Sequence, residues 1–158
     1  MIRPGTPEDA AGVARVHVET WQAAYAHAFP PEQLQSQSVE ERTALARSFP
    51  PTFVAELNGT IVGFVAVGPS RDESADGELF AIYVHPDHWG TGVGRALIEA
   101  GEERLRELGH SEALLWVLDD NPRARRFYEI AGWSADGTTR QIEVFHFDVP
   151  EARYVKKL

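Results

Sequence analysis

Three glycines at alternate positions, Gly90, Gly92 and Gly94, lie in the run His85-Pro86-Asp87-His88-Trp89-Gly90-Thr91-Gly92-Val93-Gly94-Arg95. Spaced this way, they let the backbone turn tightly and expose successive N–H groups. A stretch apolar on both faces precedes them and a helical apolar pattern follows, so the loop joins a strand to a helix N-terminus. The first N–H groups of a helix have no partner within it, and its dipole adds positive potential there. Together these features make an anion site suited to a pyrophosphate. A glycine-rich turn without a ligand is the other reading. The dinucleotide pattern G-x-G-x-x-G is absent, because Gly90 and Gly92 are followed by Arg95, and Gly92 and Gly94 by Leu97. The Walker pattern G-x-x-x-x-G-K-[ST] is absent as well. Arg95 is either a phosphate contact or the first surface residue of the helix.

The remaining chemistry is narrowed by what the composition lacks. With no cysteine, the 158-residue chain has no disulfide, no thiolate metal site and no cysteine nucleophile. There is no G-x-S-x-G elbow either, so a covalent acyl-enzyme has no obvious nucleophile. The six histidines assemble no metal site; His85 and His88 are close but have no obvious third ligand, and read as solvated or as loop hydrogen-bonders. The formal net charge of −9 repels phosphates, so nucleic acid is not an expected partner. It mildly favours a cationic one, or it simply keeps the chain soluble. No apolar run approaches the roughly 20 residues that span a bilayer, and the start holds no apolar leader. No membrane partner is expected, and the expected location is the cytoplasm.

Two blocks resemble the GNAT superfamily of N-acetyltransferases. Trp89-Gly90-Thr91-Gly92-Val93-Gly94 is similar to its [RQ]-x-x-G-x-[GA] loop, with Trp89 standing where the family carries Gln or Arg. The run Asn121-Pro122-Arg123-Ala124-Arg125-Arg126-Phe127-Tyr128-Glu129-Ile130-Ala131-Gly132-Trp133 looks like its N-x-x-A-x-x-[FL]-Y-x-x-x-G-[FW] segment. The resemblance implies acetyl-CoA as cosubstrate and an amine as acceptor. Its pyrophosphate would be held by the backbone of Gly90, Thr91, Gly92, Val93 and Gly94, with Trp89, Arg95 and Asn121 as further contacts. It also implies that Ile82 and Val84 offer backbone groups to the pantetheine arm. Tyr128 would be the general acid that protonates the departing thiolate and would itself touch the coenzyme; a thiol near pKa ~8.5 and a phenol near ~10 can exchange that proton. Alternatively Tyr128 only fills the apolar stripe of its helix. Glu78, eleven positions before Trp89, resembles the family's general base; otherwise it is a solvated carboxylate at a strand end. Asn121 is a helix N-cap, a coenzyme contact, or both. Direct attack by the amine in a ternary complex is the expected mechanism. The alternative is a non-catalytic acyl-CoA-binding regulatory module of the same fold. A homodimer is left open.

Several elements must position these groups. Residues 2–3 open a short edge strand, and Thr6 or Asp9 caps a helix reaching about residue 28, with Val13, Ala14, Val18, Trp21 and Tyr25 on one face. A second helix is expected over 31–48. Strands over 52–57 and 60–67 flank Asn58-Gly59, a type I′ hairpin signal. A polar loop over 69–77 leads to a strand over 78–85. A helix over 92–108 ends at Gly109 in the C′ position. A strand over 112–118 and a short helix from Asn121-Pro122 to about residue 131 follow. The last strands are expected around Trp133 and over 142–149. The order predicts an α/β (α+β) fold with a mixed sheet packed by helices; the resemblance implies that this sheet is of the GNAT type, mostly antiparallel and flanked by helices, with residues 1–158 as a single domain. The resemblance implies that the acceptor meets the first two helices and neighbouring loops, here rich in His17, Trp21, Gln22, Tyr25, His27 and Phe29, although Trp21 and Tyr25 share a stripe with Val18 that fits the core better.

Overall fold

A computed structural model describes residues 1–71 and 76–158. Residues 72–75 of the expected polar loop lie outside the described residues. The chain divides into two compact units: Met1–Val67 with Ala81–Arg104, and Gly68–Phe80 with Leu105–Leu158. No helix among the described residues is long and apolar enough to cross a membrane.

In the first unit, β1 (Ile2–Pro4) pairs antiparallel with β2 (Phe53–Leu57), and β2 with β3 (Thr60–Pro69). The β2–β3 turn holds Asn58 at φ 51° and Gly59 at φ 80°, the left-handed pair that the type I′ geometry requires. β4 (Gly77–Val84) is the next strand in order. Helix α1 (Ala10–Ala24) turns Ala10, Val13 and Val16 into a core with Val54, Ile61 and Phe64, against which Ala81 and Tyr83 pack. Helix α4 (Val93–Glu107) buries Leu97 and Ile98 almost completely. Truncating either to Ala would cost about 2–5 kcal/mol.

Two expectations for the helices need correction. α1 stops at Ala24; Tyr25 leaves helical geometry and its carbonyl takes the N–H groups of Ala28 and Phe29. That turn leaves Tyr25 and Phe29 buried beside Trp21, with Trp21–Tyr25 centroids 4.3 Å apart. The helix expected over 31–48 is two helices, α2 (Pro31–Gln35) and α3 (Val39–Ser48). Serines divide them: the Ser36 hydroxyl donates back to the Gln33 carbonyl, and Ser38 Oγ accepts from Glu41 N–H as an N-cap. Short hydroxyl side chains favour such end positions over a helix interior.

In the second unit, β4 begins parallel to β5 (Glu112–Leu118), with Gly77 opposite Ala113 and Glu78 opposite Leu114. β5 pairs antiparallel with β7 (Phe147–Lys157), and β7 with β6 (Ser134–Val144). Helix α5 (Pro122–Ile130) precedes that hairpin. The full strand order is β1-β2-β3-β4-β5-β7-β6, with antiparallel pairings β1–β2, β2–β3, β5–β7 and β7–β6 and a parallel step from β4 to β5. The mixed, mostly antiparallel sheet therefore matches the expected class. Its last hairpin does not match in detail. The strand expected over 142–149 is cut by a turn at Phe145 (φ 51°) and His146 (φ 68°). Non-glycine residues enter this region at about 1 kcal/mol or more each, so nothing in their types announces a turn.

Candidate active site

The first unit carries the loop. β4 ends at Val84, and His85 begins a short 3₁₀ turn over Pro86–His88, its Nδ1 accepting from Asp87 N–H at 3.2 Å. Gly90 (φ 75°) and Gly92 (φ 93°) then take positive φ, and α4 starts directly after them. A Cβ at either glycine would meet nothing within 4 Å, so backbone conformation, and not crowding, is what calls for glycine. Gly90, Thr91 and Gly92 are exposed, Val93 and Gly94 half-buried. The Thr91 hydroxyl bonds the His88 carbonyl and ties the loop to itself. An open, exposed, positive-φ glycine turn leading into a 15-residue helix fits a bound pyrophosphate.

Trp89 has a role that its type did not announce. Its indole N–H donates to the Val84 carbonyl at 2.8 Å, turning the side chain back to the strand end. The Thr20 hydroxyl donates to the same carbonyl at 3.4 Å, so both of its lone pairs are engaged. His85 N–H donates to the Val62 carbonyl at 2.8 Å. By strand alternation, Ile82 and Val84 then direct their backbone groups to the edge of β4 away from β3. Arg95 is exposed and bonds Glu99 at 3.0 Å, one turn along the helix.

Around the end of β4 the first unit places an aromatic group and a charge pair. Tyr83 OH accepts from Trp21 Nε1 at 3.1 Å, and His17 stacks on Tyr83 with centroids 4.7 Å apart. Burial, with a smaller push from the Arg42 charge, lowers the His17 pKa to about 4, so the ring is neutral. His85 Nε2 lies 2.8 Å from Glu19 Oε2. His85 is thus a loop hydrogen-bonder, as one reading of the histidines has it, and it also reaches α1. No spacing in the sequence links positions 19 and 85. Among the described residues, no three His, Asp or Glu side chains converge as a metal site.

The second unit carries Asn121, Tyr128 and Glu78. Asn121 Oδ1 accepts from Ala124 N–H at 3.1 Å and Pro122 is the first helical residue, so the N-cap reading is realised. Tyr128 is buried at 8% exposure, its ring 5.5 Å from Phe127 and 6.3 Å from Tyr154. Tyr154, fully buried, donates its hydroxyl to Glu129 at 2.8 Å and receives Arg125 Nε at 3.0 Å; Arg125 also pairs with Asp119 at 2.9 Å. Through Glu129 and Arg125, Tyr154 and Asp119 thereby fix α5, the helix that carries Tyr128. No local motif signals this network, because Tyr154 stands alone in the last strand.

Glu78 corrects the solvated reading. It is 2% exposed and accepts from Arg71 NH2 at 2.8 Å, Arg71 N–H at 3.1 Å and Ser70 Oγ at 3.4 Å. The sequence puts it at the start of a strand apolar on both faces, and the parallel step to β5 covers it. A carboxylate needs such partners when it is buried. The structure thus brings Ile82, Val84, Trp89, Gly90, Thr91, Gly92, Val93, Gly94 and Arg95 together in one unit, and Glu78, Asn121 and Tyr128 in the other.

Residues 13–133 match the sequence profile of the acetyltransferase (GNAT) family. Over 126 residues the chain is 36% identical to an uncharacterized N-acetyltransferase, YuaI, of Bacillus subtilis strain 168, covering 77% of this chain and 73% of that one. Over 131 residues it is 39% identical to the mycothiol acetyltransferase of Thermobispora bispora, covering 75% of this chain but only 44% of that protein. The fold superposes on the PaiA N-acetyltransferase of Thermoplasma acidophilum, solved in complex with coenzyme A, with a TM-score of 0.79 at 21% identity, covering 100% of this chain and 98% of that one.

Proposed function

The chain belongs to the acetyltransferase (GNAT) family and transfers an acetyl group from acetyl-CoA to an amine, and we propose that it does so as one domain over residues 1–158, by direct attack of a primary amine in a ternary complex. The observation that carries this reading is the exposed pair of positive-φ glycines directly before α4. Acetyl-CoA supplies an activated thioester. The backbone N–H groups of Gly90 to Gly94 hold its pyrophosphate, with Asn121 and Arg95 as outer contacts. Trp89 contributes through the Val84 bond, which fixes where the loop leaves the strand. Ile82 and the Val84 N–H are the strand groups that serve the pantetheine arm, since the Val84 carbonyl is engaged. Tyr128 gives its proton to the departing thiolate.

Glu78 fits a second role better than that of base. Its lone pairs receive three donors, and it holds Ser70 and Arg71 against the start of β4. On this reading the amine loses its proton to water or to another group. The acceptor is a small molecule or a peptide, and the absence of cysteine fits a cytoplasmic setting.

The experiment is free-thiol release from acetyl-CoA over a panel of primary amines, with the acetylated product identified by mass. A cysteine-free protein adds no thiol background. Stoichiometric thiol and acetylamine support the proposal. Tight acetyl-CoA binding without thiol release for any amine would instead indicate a binding module.

A further inference from the structure

We propose that Arg42, with Gln37 beside it, binds a carboxylate carried by the acceptor, so that the preferred substrate is an amino acid or a short peptide. The proposal rests on the acetyl-transfer reading and names its substrate class.

Helix α3 packs on α1 through Ala46, which joins Ala10, Val13 and Val16 in the core. Arg42 lies one turn before Ala46 and so faces the same way. It is half-buried, and its charge acts on the His17 ring of α1. Its guanidinium nevertheless takes no hydrogen bond or ion pair among the described residues. The chain has 24 Asp and Glu against 15 Lys and Arg, so carboxylates that could pair with it are plentiful. Those nearest in sequence do not: Glu41 is exposed, and Glu40 accepts from Ser38 Oγ at 3.3 Å.

Gln37 points the same way. Its Oε1 is buried and has no hydrogen-bond partner among the described residues. With Ser38 as N-cap, Gln37 is N′ and Arg42 is N4, the two positions whose side chains meet at a helix start. An apolar pair commonly fills them; here an amide and a guanidinium do. A buried acceptor without a donor costs about 1–3 kcal/mol, so one kept beside an unpaired cation calls for a ligand.

A solvated arginine that lays its stem along the α1–α3 seam would explain Arg42 alone. It does not explain Gln37. The missing partner must bring an acceptor for the guanidinium and an N–H for the amide oxygen. A carboxylate takes the guanidinium fork through both oxygens. A phosphate dianion would need more than one arginine in a chain of net charge −9. An amino acid, or the last residue of a peptide, carries a carboxylate and an N–H on one carbon. His17 in turn stacks on Tyr83, the residue before Val84, whose N–H serves the pantetheine arm.

The test titrates two dipeptides into the full chain saturated with CoA, following the His17 ring signals by NMR. They are glycylglycine and glycylglycinamide, its match without the carboxylate. Wild type should bind glycylglycine at least tenfold more tightly than the amide, and Arg42→Gln should lose that preference. Arg42→Lys should keep part of it, because the charge remains without the fork. Gln37→Leu should weaken both dipeptides alike, about fivefold, for one lost hydrogen bond. Equal acetyl-CoA affinity across the four proteins shows that the variants are folded. No preference for the acid in the wild type, a preference that survives in Arg42→Gln, or unchanged dipeptide affinity in Gln37→Leu would each overturn the proposal. Failure of the parent reading would look different: the acid would still bind in preference to the amide, and no amine would release thiol from acetyl-CoA.

Discussion

The glycine loop of the first unit and the tyrosine cluster of the second are organised by opposite means. Over residues 85–95 the surface offered to a ligand is mostly backbone, and the side chains turn inward to hold it: His85 to Asp87 N–H, Trp89 to Val84, Thr91 to His88. In α5 the backbone is occupied by the helix, and the chemistry is carried by side chains, with Tyr128 backed by the Tyr154, Glu129 and Arg125 network. Backbone recognition depends on φ and ψ, so it survives changes of residue type that keep the conformation. Side-chain chemistry depends on single atoms. The loop should therefore tolerate substitution except where φ is positive, and α5 should be sensitive to the loss of one oxygen.

The largest effect is expected at Tyr128. Tyr128→Phe keeps the buried ring and removes the proton, and the turnover number should fall roughly 10²-fold while acetyl-CoA affinity changes little. A wild-type rate, measured where chemistry limits turnover, would return Tyr128 to a packing role and dissolve the contrast. Next comes Gly92→Val. Space is available for the side chain, but a β-branched residue at φ 93° is strained, and the loop should shift. Acetyl-CoA affinity should drop at least tenfold, about 1.4 kcal/mol, by calorimetry on a folded variant. The smallest effect belongs to Trp89→Phe, which deletes only the bond to Val84. A neutral hydrogen bond is worth about 1 kcal/mol, so affinity should weaken about fivefold. An unchanged affinity would show that the loop holds its shape without that tie.

The same contrast explains what could be read from the sequence. The loop was legible because positive φ and a helix start have a residue signature, glycines placed just ahead of an apolar helical pattern. The Asn58-Gly59 turn and the Asn121-Pro122 cap were legible for the same local reason. The Phe145-His146 turn was not, because it forces ordinary residues into the left-handed region. Neither was the break at Ser36 to Ser38, where weak caps compete with a pattern that could continue as helix. The burial of Glu78 by β5 and the Glu19–His85 contact depend on pairings 36 and 66 residues apart, which no local spacing encodes. Trp89 was legible as a departure from the family pattern, but its partner, the Val84 carbonyl, has no side-chain signature at all.

A single-turnover titration of acetyl transfer against acetyl-CoA concentration, run on wild type, Gly92→Val and Tyr128→Phe, tests the division of labour most directly. Each curve yields a half-saturation for the coenzyme and a maximal rate once it is bound. The account predicts that Gly92→Val raises the half-saturation at least tenfold with a near-normal maximal rate, and that Tyr128→Phe keeps the half-saturation and loses about 10²-fold in maximal rate. If both variants moved the same parameter, or if Tyr128→Phe altered only the half-saturation, the assignment of binding to backbone and chemistry to the tyrosine would be contradicted.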